Sequence, residues 1–314
     1  MSQKVTVFWF RRDFRIADNA SLYYALKDEF PVQPVFIFDT NILDKLNDKK
    51  DARVTFIHDE VTRLSEEFKD RGVGMEVRYG DPLKVWKQLV EDYDVGKVYA
   101  NRDYEPYARS RDKSIYEFLE GKGIQFAARK DHLIFEKDEV LKNDGTPYRV
   151  YTPYSKLWKS TMKDYYLKSY PSSEIDHWHQ GEEGQVISLE EMGFERSDIK
   201  VPSREVNEEI INNYHEDRDT PAIRGTSRLS VHLRFGTISI RQLARKAYDL
   251  NEKYLNELIW RDFYAMILWH YPKVVDRNFS SKYDGIDWRN NEEEFDKWCK
   301  GKTGYPIVDA GMRE

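Results

Sequence analysis

The stretch Val5-Thr6-Val7-Phe8-Trp9-Phe10 is a run of six β-branched and aromatic side chains near the start of the chain. A short, continuous apolar run of this kind is typical of a strand in a buried parallel sheet. Four further runs of similar character follow, at Val32–Phe38, Glu76–Tyr79, Val98–Asn101 and Ile124–Ala128.

Helical patterns separate these runs, at Ser21–Glu29, Ala52–Asp70, Pro82–Tyr93 and Tyr107–Gly121. Asp81 before Pro82 provides an N-cap and a proline at the first helical position. Strands that alternate with helices predict a parallel sheet covered on both faces. We therefore predict a doubly wound α/β domain over residues 1–130.

The rest of the chain has a different pattern. Residues 131–205 show no clean periodicity, so we predict an interdomain connection with a short helix around Tyr154–Lys168. Residues 206–314 read as helical, and the expected fold is an α/β domain followed by an all-α domain. The last apolar stripe, Ile307, Val308 and Met312, has no stop signal after it, so we expect this all-α domain to be incomplete here.

Composition excludes several classes of protein. The chain has 314 residues, one cysteine and a formal net charge of −6 at pH 7. A single cysteine excludes a disulfide framework and a cysteine-based zinc site. No run approaches 18 apolar residues and the N-terminal run is too short for a signal peptide, so we expect a cytoplasmic protein without a membrane span.

The charges are unevenly distributed along the second half of the chain. Residues 181–217 hold eleven acidic and three basic side chains, whereas residues 219–250 hold six basic and two acidic ones. The basic segment is either a phosphate-binding footprint or a solvated helix face.

The segment Gly225-Thr226-Ser227-Arg228-Leu229-Ser230 precedes a periodic run and marks the start of a helix. Hydroxyls, an arginine and free backbone N–H groups at such a position suit a phosphate or a pyrophosphate. An ordinary N-cap explains the same residues.

A helix is predicted over Tyr254–Tyr271, and it places Glu257, Trp260, Arg261 and Tyr264 on one face. Tryptophan can stack on a base, arginine can hold a phosphate, and glutamate can accept hydrogen bonds from a base edge. The alternative is an ordinary Glu–Arg pair beside a half-buried tryptophan.

Other motifs are absent or weak. The turn after Phe10 has no G-x-G-x-x-G, so the common dinucleotide fingerprint is missing. His177 and His179 are spaced as on one side of a strand, and nothing near them suggests a metal site.

Several long motifs nevertheless resemble the photolyase/cryptochrome family, in the family's order. These motifs are Val7–Arg15, Tyr148–Tyr154, Thr226–Ser230, Phe235–Ser239, Asn256–Tyr264 and Gly301–Ala310. Among the branches, Asn256–Tyr264 is most similar to the class I cyclobutane pyrimidine dimer photolyases.

The resemblance implies a role for each matched residue. FAD would be held by Tyr214, Thr226, Ser227, Arg228, Leu229 and Ser230. Glu257 would hydrogen-bond a pyrimidine dimer flipped out of DNA, and Trp260 would stack on it. Arg218, Arg261 and Tyr264 would also contact the DNA, and Trp288 would belong to the electron chain that photoreduces the flavin.

The resemblance implies light-driven repair of pyrimidine dimers by electron transfer from reduced FAD, which is the activity of a deoxyribodipyrimidine photo-lyase. A cryptochrome-like blue-light photoreceptor without repair activity is the main alternative, and a flavoprotein with dark redox chemistry is a third. The expected partner is damaged DNA, and the expected state is a monomer. We also expect the 314 residues alone neither to hold FAD tightly nor to repair DNA.

Many relatives carry an antenna chromophore on the α/β domain. Some folate-binding members have an adjacent Asn-Glu pair where this chain has Tyr107-Ala108. This difference argues against folate, and a deazaflavin, another flavin or an empty site remain open.

Overall fold

The fold is described from a computed structural model covering residues 3–181 and 184–313. The chain divides into two compact units, one ending at His270 and the other beginning at Tyr271. The boundaries 1–130, 131–205 and 206–314 stay a sequence-based prediction.

The first unit contains a five-stranded parallel sheet with strand order β3-β2-β1-β4-β5. Its strands are β1 (Val5–Phe10), β2 (Val32–Asp39), β3 (Glu76–Gly80), β4 (Val95–Asn101) and β5 (Gln125–Arg129). The predicted doubly wound sheet is confirmed. β4 begins three residues before the predicted start, because the polar Lys97 in its ladder interrupts the apolar pattern.

Helices cover both faces of the sheet. They are α1 (Ala20–Leu26), α2 (Thr40–Leu43), α3 (Ala52–Lys69), α4 (Pro82–Asp92) and α5 (Pro106–Gly121). The Asp81 side chain caps α4 by accepting from the Lys84 N–H at 3.0 Å, as predicted. β1 is buried along its whole length: Phe8 and Phe10 join the core on one face, whereas Val7 and Trp9 join the core on the other.

The connection after β5 carries α6 (Tyr151–Thr161) and two 3₁₀ turns, Asp164–Leu167 and Ser172–Glu174. His177 and His179 lie where the chain forms a short parallel bridge to Val32. The Val32 N–H donates to the His177 carbonyl, and the His179 N–H donates to the Val32 carbonyl, both at 2.9 Å. Over residues 3–181 and 184–313, no cluster of three or more His, Cys, Asp or Glu side chains could hold a metal ion.

The helical part of the first unit consists of α7 (Glu208–Asp217), α8 (Ser230–Phe235), α9 (Ile240–Leu250) and α10 (Glu252–His270). These helices share an apolar core with α6. The second unit contains α11 (Glu292–Cys299) and α12 (Pro306–Arg313). Within the described ranges, no helix is long and apolar enough to cross a membrane.

A buried ionic cluster lies at the carboxyl edge of the sheet. Asp131, just after β5, accepts from Arg15 Nη2 at 2.6 Å and from Arg241 Nη2 at 2.9 Å. Arg241 also donates to Asp18 Oδ1 through Nε at 2.9 Å. Although burial alone would raise it, Arg15 and Arg241 hold the pKa of Asp131 well below its usual range.

One arginine of the basic segment 219–250 belongs to this cluster. Arg241 is only 4% exposed, so it faces neither solvent nor a phosphate. Arg234 pairs with Glu105, and Lys246 pairs with Glu208. Much of the positive charge in this segment is therefore used within the chain.

Candidate functional site

α10 carries the residues with the clearest chemical potential. Its apolar stripe, including Leu255, Ile259 and Phe263, is buried in the helical core. Glu257 and Trp260 are half-buried, and Tyr264 is 60% exposed. Three residues of the predicted polar and aromatic face, Glu257, Trp260 and Tyr264, therefore lie at the surface of the helical part.

Glu257 is paired with the neighbouring helix. Arg218 Nη1, at the end of α7, lies 2.8 Å from Glu257 Oε1. The Arg218 guanidinium also lies 5.5 Å from the centre of the Tyr214 ring. Three of the predicted site residues thus meet at one place, with the carboxylate still partly accessible.

Trp260 belongs to a group of three near-parallel rings, which we call the aromatic triad: Tyr151, Trp260 and Tyr264. The Tyr151 and Trp260 ring centres are 3.6 Å apart, with only 5° between the ring planes. Trp260 and Tyr264 are 5.4 Å apart at 23°. Sequence reasoning missed Tyr151, because it lies 109 positions before Trp260 and no periodicity connects the two.

Arg261 is turned towards the protein. Its Nη1 donates to the His132 carbonyl, and its Nη2 donates to the Leu233 carbonyl at 3.0 Å. Burial, with a further contribution from Arg12, lowers the pKa of Arg261 to about 10. Its role in contacting DNA stays a prediction.

Asp262 anchors α10 from the buried side. Its Oδ2 accepts from the Phe135 N–H and from Trp158 Nε1, both at 2.9 Å. Its Oδ1 has no hydrogen-bond partner among the described residues. Burial raises the pKa of Asp262 to about 6.

We expect the Asp262 carboxylate to make stability depend on pH. An acid whose pKa is raised in the folded state loses stabilising free energy as pH rises from about 4 to 6. Asp262→Asn keeps an acceptor oxygen and has no such titration. Urea denaturation at pH 4.0 and 7.5 should show the variant gaining stability relative to the parent at the higher pH, by up to roughly 3 kcal/mol. An equal difference at both pH values would contradict this.

The segment before α8 has the features that a phosphate would need. Thr226 and Ser230 are exposed. α8 begins at Ser230, and its N-cap residue, Leu229, makes no side-chain hydrogen bond to the helix N-terminus. Ser227 Oγ lies 2.8 Å from Tyr254 Oη, which holds the segment against α10. A Cβ on Gly225 would lie 2.6 Å from the Asp217 backbone, so only glycine fits this close approach.

These residues fit the diphosphate part of FAD. The exposed Thr226 and Ser230 hydroxyls are donors, and hydroxyls with an arginine are the groups that recur at phosphates. A polar cavity of 470 Å³ adjoins the segment and is lined in part by Ser227, Arg224 and Asn213.

A second, larger cavity of 860 Å³ lies at the carboxyl edge of β1 and β2. Its lining includes Trp9, whose ring has the guanidinium groups of Arg11 and Arg111 at 4.8 and 4.9 Å from its centre. Tyr107 donates to Asp39 Oδ2 at 2.6 Å in the same wall. The cavity therefore has a largely apolar and aromatic lining in which both arginine and carboxylate side chains take part, and such a lining suits an aromatic ligand with polar substituents.

Trp288 lies in the second unit, between the 3₁₀ turn Ser281–Tyr283 and α11, and its side chain is 72% exposed. Its predicted part in electron transfer stays a prediction.

Two parts of the chain match known protein families. Residues 6–174 match the family profile of DNA photolyase, and residues 254–314 match that of the FAD binding domain of DNA photolyase. The first match alone covers more than half of the chain. The chain belongs to the photolyase/cryptochrome family. Residues 254–314 therefore belong to a family FAD-binding domain, and FAD is the cofactor that this domain binds.

Individual relatives of the family agree. A deoxyribodipyrimidine photo-lyase of Halobacterium salinarum is 32% identical over 98% of this chain and 70% of its own length. A class III photolyase structure from Agrobacterium tumefaciens superimposes with a TM-score of 0.83 at 25% identity, over all of this chain and 69% of that one.

A third relative bears on the second chromophore. An archaeal photolyase from Sulfolobus tokodaii is 30% identical, with a TM-score of 0.75 over 98% of this chain and 70% of that one. Its structure contains two FAD molecules, one of them described as a novel light-harvesting cofactor.

Proposed function

We propose that this protein repairs cyclobutane pyrimidine dimers in DNA by a light-driven reaction, as a class I photolyase. The observation that carries the proposal is the surface of α10, where Glu257 and its partner Arg218 lie beside the half-buried ring of Trp260. The curated relatives are named deoxyribodipyrimidine photo-lyase, and this surface supports the choice of a flipped-out pyrimidine dimer as substrate.

Each residue of this surface has a chemical task. Trp260 and Tyr264 offer aromatic faces and edges to the extruded pyrimidines. The carboxylate of Glu257 accepts hydrogen bonds from ring N–H groups. Arg218 holds that carboxylate in place, and it is exposed enough to reach a DNA phosphate.

Bound FAD would supply the light-driven one-electron chemistry of the reaction. Tyr214 and the segment Thr226–Ser230 hold its diphosphate and adjoining parts. The chain's own contribution is to orient the dimer and to exclude water beside it.

The test is repair of an oligonucleotide containing one thymine dimer by the full-length, FAD-loaded protein, in blue light and in darkness. We expect repair in light alone, with tighter binding to damaged than to undamaged DNA in a gel-shift assay. FAD binding with no preference for damaged DNA would instead indicate a photoreceptor. Activity in darkness with a nicotinamide donor would indicate redox chemistry and would also contradict the proposal.

We propose further that the 860 Å³ cavity holds a second, light-harvesting chromophore of the deazaflavin or flavin class. Leu46→Trp replaces an aliphatic side chain of the lining by a bulky indole ring. The variant should therefore lose the second chromophore while the catalytic FAD stays bound. The measurement is chromatography of the pigments released on denaturation, with Ile199→Trp, at an exposed position, as control. Unchanged release of a second pigment from Leu46→Trp would contradict this assignment.

A monomer located in the cytoplasm completes the proposal. Sedimentation of the DNA-free protein tests the first point.

A further inference from the structure

Tyr151 is the residue of the aromatic triad that lies outside α10. It is the first residue of α6, and its ring overlies the Trp260 indole at 3.6 Å. Its hydroxyl donates to the Asn256 carbonyl at 2.9 Å, one helical turn before Trp260 on α10. Phe263 packs edge-on against both rings, at 5.9 Å from Tyr151 and 5.6 Å from Trp260.

The parallel overlap of the two rings needs support from their surroundings. Aromatic pairs prefer offset or edge-to-face arrangements with centres 4.5 to 7 Å apart, because face-to-face overlap opposes like quadrupoles. Here the hydroxyl bond to α10 and the Phe263 edge contacts keep Tyr151 in place. The Trp260 ring is therefore fixed before any DNA arrives.

The covered face also limits how a ligand can approach. Because Tyr151 occupies one face of the indole, an extruded pyrimidine must contact the remaining surface of Trp260, together with Tyr264 and Glu257. A side chain that is already ordered does not lose rotational freedom on binding, which would otherwise cost about 0.5–1.5 kcal/mol.

We propose that Tyr151 is a positioning residue for lesion recognition, which acts by holding the Trp260 ring in the orientation that receives the extruded dimer. This inference rests on the proposed repair function and assigns Tyr151 a role within the same site. The residue acts through Trp260, so removing it should matter only while Trp260 is present.

The test is a double-mutant cycle in the FAD-loaded protein, measured as affinity for dimer-containing and undamaged DNA. Tyr151→Ala should weaken dimer binding about three- to tenfold and leave binding to undamaged DNA unchanged. Tyr151→Phe keeps the ring and should stay within twofold of the parent. In the Trp260→Ala background, Tyr151→Ala should cause no further loss.

Two further variants separate positioning from general damage to the fold. Tyr151→Leu retains apolar volume without a ring and should behave like Tyr151→Ala at an unchanged melting temperature. Tyr165, 76% exposed on the turn after α6, provides the matched control Tyr165→Ala, which should bind as the parent does.

The possible failures are distinguishable. If Trp260→Ala lowers dimer affinity but the Tyr151 variants do not, or if their losses simply add, the positioning role is wrong and the repair site stands. If Trp260→Ala itself leaves dimer affinity unchanged, the proposed lesion site is wrong and the role of Tyr151 falls with it.

Discussion

Asp131→Ala is expected to lower the free energy of unfolding of the first unit by about 3–5 kcal/mol, because it leaves two buried guanidinium groups without their shared carboxylate. The Asp131 side chain is fully buried, and those of Arg15 and Arg241 are 9% and 5% exposed. The Ala20 N–H would also lose its acceptor at 3.0 Å. Urea denaturation at pH 7 measures the loss.

Two controls define this result. Asp59→Ala removes a pair with Arg196 in which both side chains are about half exposed, and surface pairs of this kind contribute about 0–1 kcal/mol. Asp131→Asn should lie between the two. Because the pKa of Asp131 is lowered by folding, its stabilising contribution is present above about pH 4 and declines below it, so the parent's advantage over Asp131→Asn should shrink in acid. A loss below 1 kcal/mol for Asp131→Ala would show that the cluster is not energetically coupled.

Trp260→Ala is expected to weaken binding to dimer-containing DNA about ten- to a hundredfold, since stacking of a base on an aromatic ring contributes about 1–3 kcal/mol. Glu257→Ala should cause a loss of similar size, because a hydrogen bond to a charged group contributes about 1.5–3 kcal/mol. The measurements are dimer affinity and the rate of repair under blue light in the FAD-loaded protein.

The matched control lies on the same helix. Glu252 is exposed at the start of α10, where it pairs with Lys159. Glu252→Ala should leave both dimer affinity and repair unchanged. Parent-like repair by Glu257→Ala and Trp260→Ala together would remove the basis for the proposed substrate.

The sequence was sufficient for the sheet, since each strand has its own local signal. β1 alternates between two buried faces, so it reads as a continuous apolar run, and Asp81-Pro82 marks the start of α4 through local backbone chemistry alone. The face of α10 was equally accessible, because Glu257, Trp260 and Tyr264 are linked by helical periodicity.

The missed features depend on contacts between distant segments. Neither the stack of Tyr151 on Trp260 nor the burial of Arg241 against Asp18 and Asp131 leaves a periodic trace. Sequence alone does not distinguish a buried arginine from an exposed one, so the burial of Arg241 within the basic segment 219–250 was not predicted. The large cavity also escaped prediction, since its lining comes from loops after several strands as well as from α8.

The ionic cluster has a consequence for synthesis of the chain. Asp18 and Arg241 are separated by 223 positions, and the sheet ends at Arg129. As the nascent chain leaves the ribosome, all five strands emerge more than a hundred residues before the arginine that completes their carboxyl edge. Until then Asp18 and Asp131 lack a partner that the finished fold provides, and contacts of such long range form late. The α/β part therefore reaches its full stability only after α9 has been translated.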